Sequence, residues 1–383
     1  MDEKRILAAL SFQTGWERLT LSGLIAYARE NNLLWEIRAV ARETDLHEFC
    51  ERFQPHGLFY HPHMPLPPDI PFDLKTVYFD WQVGSERPLL RIDDRQVGQL
   101  AAEHFLSHGF THFLFAGNLN RPYADLRFQG FSHRLRSAGY PVSSFNTQSC
   151  FLGLLNNREN QEISRQFTDM VKKLKKPLAV FAADDFEAYT VFELSLKNGW
   201  NIPEQVGILG ANNDELVCQA CDPMLSSIRI PYRQIGFKAA ELLHRQFQGY
   251  SVPRKPFLFQ ATEVITRRST AIDRVDDPVV AKAVKFIREH YKENITAETL
   301  LTLTGVSRSM LERRFKQTVN RTPYFEILYQ RIEQSKGLLR DTRLSIQEIA
   351  SGCGFNSTNR FCQAFKDKVN MTPSQYRQAC KTS

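Results

Sequence analysis

ITAETLLTLTGVSRSMLERRFKQTVNRTPYFEI, residues 295–327, and LSIQEIASGCGFNSTNRFCQAFKDKVNMTPSQY, residues 344–376, are two copies of one pattern. The copies are offset by 49 residues as far as Gly305 and Gly354, and by 50 from Ser307 and Ser357 onward, because Asn356 is an extra residue. Each copy reads as a short helix, a glycine turn, a second helix and a Thr-Pro step that opens a third. Ser345 with Glu348, and Thr372 with Gln375, have capping-box spacing, and Pro323 and Pro373 take a first helical position behind a threonine. Gly305 and Gly354 fall where a left-handed residue has to turn one helix into the next. In the second helix of the first copy Leu311 and Phe315 point inward, while Ser309, Glu312, Arg313 and Lys316 form a polar outer stripe. Phe361 and Phe365, with Asn359, Cys362, Gln363 and Lys366, repeat that arrangement. Two such helices can each enter a major groove of DNA. The rival reading is a plain helix bundle with solvated polar faces.

Upstream of the repeat, Val280, Val284, Ile287 and Tyr291 lie on one stripe of a helix begun by Pro278. Before it stands TRRSTAIDRVDDP, residues 266–278, a polar and charged run. These features divide the chain into an amino-terminal region over residues 1–270, a linker over 271–277 and a helical domain over 278–383, with helix-turn-helix units near 296–317 and 345–367. Charge follows the same division. Residues 274–383 hold 19 Lys and Arg against 11 Asp and Glu, a net +8, whereas residues 1–273 sum to −1. A basic module joined to a near-neutral one points to a polyanionic partner.

The first 265 residues alternate between apolar β-rich runs and amphipathic stretches. The runs are ILAALSF, LWEIRAV, GLFYH, TVYFD, HFLFAG, LAVFAA and VGILGA; LTLSGLIAYAREN and QVGQLAAEHFLSHG are the clearest helices between them. This pattern predicts a parallel, doubly wound α/β architecture with ligand sites beyond the carboxyl ends of its strands. FLFQATEVI reads as a final strand-like run, and the segment from Pro62 to Pro71 as a loop.

At 42% hydrophobic residues over 383 positions, the chain can bury two or three cores. The apolar run at its start breaks at Gln13, too short for a signal peptide or a membrane span, so the expectation is a cytoplasmic protein with no membrane partner. Seven mostly isolated cysteines suit a reducing compartment. His61-Pro62-His63, the pair His104 and His108, and the lone Cys218-Gln-Ala-Cys221 lack the further ligands of a metal or redox site, and Cys362 lacks a resolving thiol. Asp184-Asp185 has no accompanying catalytic motif. No metal, no cofactor and no enzymatic activity are expected.

The tail resembles the AraC/XylS-type DNA-binding domain over its last 110 residues or so, on VSRSMLERRFK, LSIQEIASGCGF, NRFCQAFK and MTPSQYR. Leu301 departs from the alanine frequent there, which the second copy keeps as Ala350. The resemblance and the stripes together make Ser309, Glu312, Arg313, Asn359 and Gln363 the candidates for reading base edges, and Arg308, Lys316, Arg360 and Lys366 those for phosphates.

The region before it is similar, over about residues 5–270, to the LacI-type effector domain and so to two-lobed periplasmic sugar-binding proteins. The matching segments are IDDRQVGQLAAEHFLSHG, RFQGFSHRLRSAG, ADDFEAYTVFELSLKNGWNIPEQVGILGANNDEL and PMLSSIRIPYRQIGFKAAELL, in the family's order. That family's amino-terminal helix-turn-helix has no counterpart before the first strand. Its cleft arginine, acidic or amide residue and aspartate carry over to Arg127, Asp185 and position 212, where this chain has Asn212. Phe12, Trp16 and Tyr123 are candidate rings for the apolar face of a sugar, and Asp80 and Trp81 candidates from the opposite lobe. The whole combination, including the junction EVITRRST, is similar to regulators of the xylose-operon activator type. It implies a homodimeric activator of transcription that binds promoter DNA, a sugar-like effector and RNA polymerase. A transport-type binding protein would carry an export signal and no basic repeat. An α/β enzyme tethered to nucleic acid is separated from a sensor by whether a bound sugar is turned over.

Overall fold

The computed structural model describes residues 3–40, 46–61, 74–79, 87–147, 158–253, 255–271, 277–319, 321–369 and 371–382. Asp80, Trp81, the Pro62–Pro71 segment and linker residues 272–276 lie outside the described residues. The chain divides into two units, Met1–Ile272 and Asp273–Ser383.

In chain order the first unit runs β1 (Lys4–Ala9), α1 (Gly15–Glu30), β2 (Trp35–Ala39), α2 (Leu46–Phe53), β3 (Gly57–Tyr60), β4 (Lys75–Phe79) and β5 (Leu89–Ile92). It continues through α3 (Asp94–Ser107), β6 (His112–Gly117), α4 (Pro122–Ser137), β7 (Val142–Asn146), α5 (Arg158–Lys173), β8 (Leu178–Ala182), α6 (Asp185–Lys197) and β9 (Val206–Ala211). It ends with α7 (Glu215–Ala220), β10 (Ser226–Arg229), α8 (Tyr232–Phe247), β11 (Phe257–Phe259) and β12 (Glu263–Ile265). The strands form two six-stranded sheets, ordered β11-β5-β4-β3-β1-β2 and β12-β10-β9-β8-β6-β7. Pairing is parallel except between β10 and β12. Ile6 of β1 stands between Ile37 and Gly57, and Leu114 of β6 between Ser143 and Val180. Central strands such as LAVFA and VGILGA are buried at every position, as sheets covered on both faces require.

Each sheet with its helices is a lobe, and the chain crosses between lobes three times: from β5 into α3, from β10 into α8, and from β11 to β12. The sequence run FLFQATEVI thus supplies one strand to each sheet rather than a single strand. Short hydrogen bonds fasten this last crossing, Asp93 N–H to Phe259 O at 2.8 Å and Ala261 N–H to Gln96 Oε1 at 2.9 Å.

The lobes share a packing device. In the first, α1 crosses α8 so closely that a Cβ on Gly23 would fall 1.9 Å from Arg233 O and one on Gly236 1.8 Å from Thr20 O. In the second, α3 crosses α4 with Gly98 against Arg127 O and Gly130 against Arg95 O, both at 2.0 Å. Only glycine lets two backbones approach this far.

The second unit is helical: α9 (Pro278–His290), α10 (Ala297–Thr304), α11 (Arg308–Val319), α12 (Pro323–Asp341), α13 (Ile346–Gly352), α14 (Thr358–Val369) and α15 (Pro373–Thr382). It has two small cores, one per repeat. Val280, Val284, Ile287, Leu300, Leu311 and Phe315 make the first, with Leu301 half-buried at its edge. Ile332, Ile349, Ala350, Phe361 and Phe365 anchor the second. Residues carrying the sequence pattern adopt the geometry it asks for. Gly305 caps α10 at φ 70° and Gly354 has φ 80°; Ser345 and Glu348 form a complete capping box, and Thr322 caps α12 ahead of Pro323.

Candidate effector cleft and nucleic-acid interface

The polar residues of the first unit converge where strands of both sheets end. Arg127, on the second turn of α4, is buried, and its Nε donates to Asp94 Oδ1 at 2.9 Å. Its Nη1 donates to Ala183 O at 2.5 Å, and both terminal nitrogens lie 3.5 Å from Asn212 Oδ1. Burial works against the guanidinium charge, but Asp94 more than offsets it and holds Arg127 protonated. The Tyr232 hydroxyl donates to Asn212 Oδ1 at 2.8 Å, and the Tyr123 ring lies 5.1 Å from the guanidinium. Tyr123 in turn donates its hydroxyl to Asp184 Oδ2 at 3.1 Å.

From the first lobe comes Trp16, half-buried on α1, with ring centroids 5.7 Å from Tyr232, 4.9 Å from His61 and 6.1 Å from Phe79. A continuous row therefore runs Trp16, Tyr232, Asn212, Arg127, Tyr123, Asp184. It combines aromatic faces, a guanidinium, an amide and a carboxylate, the groups that bind a polyhydroxy compound through paired hydroxyls and a ring face.

Four of the expected effector residues, Trp16, Tyr123, Arg127 and Asn212, belong to this row. Phe12 does not; it is 62% exposed on the loop after β1. Asp185 requires a correction. Its Oδ1 accepts from Ser227 Oγ at 2.5 Å and its Oδ2 from Asp214 N–H at 2.6 Å, so both oxygens are occupied beneath β9 and β10. Burial raises its pKa from 3.8 to about 8. Asp184, one residue earlier, presents the half-buried carboxylate instead, while its Oδ1 caps α6 through Phe186 N–H and Glu187 N–H at 2.9 Å. Both aspartates follow β8, and strand periodicity gave no means to choose between them. Asp94, Tyr232, His61 and Phe79 were missed as well, although each sits at a strand end or the first turn of a helix.

Two of the other constellations, His104 with His108 and the CxxC pair, are taken up by packing. His104 donates or accepts at Thr270 Oγ1, 2.8 Å away, and burial pushes its pKa down to about 3. Burial also raises both CxxC thiols, Cys221 to about 12, which keeps them unreactive. Among the described residues no group of three or more His, Cys, Asp or Glu could hold a metal, and no helix is long and apolar enough to cross a membrane.

In the second unit, α11 and α14 each follow a glycine turn and bury two anchors, Leu311 and Phe315 in one and Phe361 and Phe365 in the other. Ser309, Glu312, Arg313, Lys316 and Arg308 are all exposed on α11, as are Asn359, Gln363, Arg360 and Lys366 on α14. Arg308 Nε contacts Glu312 Oε1 at 3.1 Å, and Gln363 Nε2 donates to Asp367 Oδ1 at 2.7 Å. Such exposed i,i+4 pairs are worth about 0.3–0.5 kcal/mol and yield readily to a nucleic-acid partner. Arg314, off the stripe, pairs with Asp277 at 3.1 Å and so ties the start of α9 to α11.

Residues 102–270 match the periplasmic binding protein-like domain family and residues 300–379 the helix-turn-helix domain family. The chain is 29% identical over 297 residues to the xylose operon regulatory protein of Haemophilus influenzae, covering 76% of this chain and 75% of that one. To the Escherichia coli K12 protein of the same name it is 33% identical over 228 residues, 59% of this chain and 58% of that one. Among solved structures, that of the xylose-binding transcription activator XylR is similar in fold over 99% of both chains, with a TM-score of 0.65 and 23% identity. A LacI family regulator from Enterococcus faecium with bound ribose is similar over 70% of this chain and 99% of that one, with a TM-score of 0.56 and 19% identity. With a periplasmic binding protein-like domain ahead of a duplicated helix-turn-helix, the chain has the organisation of a DNA-binding transcription regulator and is similar in sequence to regulators of the xylose operon.

Proposed function

We propose that this regulator is an activator whose effector, a sugar, sits in the row from Trp16 to Asp184 and changes how two subunits present α11 and α14 to promoter DNA. The observation that carries the reading is the duplicated helix with an exposed polar stripe, displayed twice on a basic unit. In this reading residues 1–270 sense the effector, 271–277 link and 278–383 bind DNA. Ser309, Glu312, Arg313, Asn359 and Gln363 read bases, while Arg308, Lys316, Arg360 and Lys366 hold phosphates. The protein acts in the cytosol as a homodimer, recruits RNA polymerase and leaves its effector chemically unchanged.

The names of its relatives make D-xylose the first effector to try. The test is binding of the full chain to promoter fragments of its own genome, titrated with salt and repeated with D-xylose, other sugars and sugar acids. Sequence-selective binding that weakens steeply with salt and shifts with one sugar is expected. Binding that ignores both sequence and sugar would overturn the reading.

A further inference from the structure

Asn212 follows β9 with φ 107°, and Asn213 comes next at 51°. Non-glycine residues held at positive φ carry strain and gather at ligand sites, and Asn and Asp bear it best. The neighbours of Asn212 fix which way its amide points. Both terminal nitrogens of Arg127 approach the same side-chain atom at 3.5 Å. A guanidinium has donors only, so that atom is the oxygen. The Tyr232 hydroxyl donates to the same amide oxygen at 2.8 Å. Oδ1 is thereby taken up, and Nδ2 with its two hydrogens lies on the other side. Among the described residues Nδ2 makes no hydrogen bond.

An aspartate here would offer an acceptor; this amide offers a donor. Charge narrows the ligand further. Arg127 is matched by Asp94, Arg18 lies 3.9 Å from Asp214, and the Asp184 carboxylate stands over with no cation of its own in the row. An anionic ligand meets repulsion there.

Resting on the effector-binding reading above, we propose that Asn212 is a specificity-determining donor, and that the effector is an uncharged sugar placing an acceptor-only oxygen, its ring or carbonyl oxygen, against Nδ2. Hydroxyls of the same sugar fall to Asp184.

The test measures binding of D-xylose and D-ribose to the full chain by calorimetry, and of the 5-thio analogue of each, in which a poorly accepting sulfur replaces the ring oxygen. The wild type should bind one parent sugar and hold its thio analogue about five- to tenfold more weakly, the worth of one neutral hydrogen bond. Asn212→Asp should weaken the parent by about tenfold or more, since a carboxylate faces the lone pairs, and should lose the preference for oxygen over sulfur. Aspartate tolerates the positive φ and faces Arg127, so the fold should persist; melting without sugar checks this. Tyr232→Phe is the second variant. It frees one hold on the amide oxygen and should narrow the oxygen-to-sulfur preference while the ring stays packed. Equal affinity for parent and analogue in the wild type, or undiminished binding by a folded Asn212→Asp, would overturn this inference and leave the effector reading standing. No binding by the wild type to any sugar or sugar acid would remove both.

Discussion

Asp214, just past β9 in the second lobe, accepts the backbone N–H of Gly15 at the start of α1 in the first lobe, at 2.8 Å. Its own N–H is held by Asp185 at 2.6 Å, so the contact joins the floor of one lobe to a helix end of the other. A carboxylate at a helix N-terminus is favoured by the unpaired N–H groups and the dipole there. The approach is close enough that a Cβ on Gly15 would stand 2.6 Å from Asp214 Oδ2. The bond lies beside the row from Trp16 to Asp184, and the lobes cannot part without breaking it.

Asp214→Asn keeps an acceptor but turns a charge-assisted hydrogen bond into a neutral one, a loss of about 1 kcal/mol. If the joined lobes are the form that holds effector, effector affinity should fall about fivefold, because a ligand's apparent affinity scales with the population of its competent state. Calorimetric titration of the full chain reads this. A lower melting temperature with unchanged affinity would make Asp214 a structural residue only.

Asp185 predicts a dependence on pH. Burial raises its carboxyl from 3.8 to about 8, against the pull of Ser227 and the Asp214 N–H, and the nearby Asp184 and Asp214 carboxylates add to the rise. Between those values the folded protein keeps a proton that the unfolded chain has released. The contribution is therefore fully present below the unfolded value and is lost as pH rises toward 8, with a slope of at most about 1.4 kcal/mol per pH unit. Asparagine can donate to Ser227 Oγ and accept from Asp214 N–H, so Asp185→Asn should flatten the profile. Urea unfolding between pH 5 and 8 compares the two; parallel profiles would reject this assignment.

Gly98 and Arg127 make a structural prediction with a functional consequence. Gly98→Ala drives a methyl to 2.0 Å from the Arg127 carbonyl, which α4 can relieve only by moving. Overpacking of this kind costs about 1–3 kcal/mol. Because Arg127 travels with α4, effector affinity should fall as well, whereas Gly139→Ala, at an open turn with φ 84°, should lower stability alone. Thermal melting and titration of both variants separate the effects.

What the sequence disclosed follows from the range of the forces involved. Capping boxes, glycine turns and the anchors Leu311, Phe315, Phe361 and Phe365 depend on neighbours within a few residues, and all were legible. The seven apolar runs became strands because fully buried strands need continuous apolar residues. The short or polar strands β5, β7 and β10 escaped notice, since LLRI, VSSFN and SSIR owe their places to neighbouring strands rather than to hydrophobic pattern. In the cleft, Arg127 and Asn212 came through resemblance, but Asp94 and Tyr232 did not. They meet Arg127 from 33 residues away in one case and Asn212 from 20 in the other, contacts that only the crossings between lobes create. Asp184 and Asp185 are adjacent in sequence, and their opposite fates are set by Ser227, 42 residues on from Asp185.

Arg313 on α11 and Lys366 on α14 provide the last prediction, because the two stripes together should contain both kinds of DNA contact. Arg313 is exposed near the middle of the α11 stripe, one turn beyond Ser309, and among the described residues no carboxylate is paired with it. Its guanidinium is free to bond a guanine edge bidentately. Arg313→Ala should cost about 1–3 kcal/mol on the cognate site, much less on random DNA, and relax the base preference at one position. Lys366 lies two turns into α14, also exposed, as a point charge suited to phosphate. Lys366→Ala should weaken cognate and random DNA alike and reduce the slope of log affinity against log salt by about 1. Binding isotherms for both variants at several salt concentrations, on both DNAs, give each contact its signature. If Arg313→Ala lowers both affinities equally and flattens the salt slope, the arginine holds the backbone and base reading on α11 falls to Ser309 and Glu312.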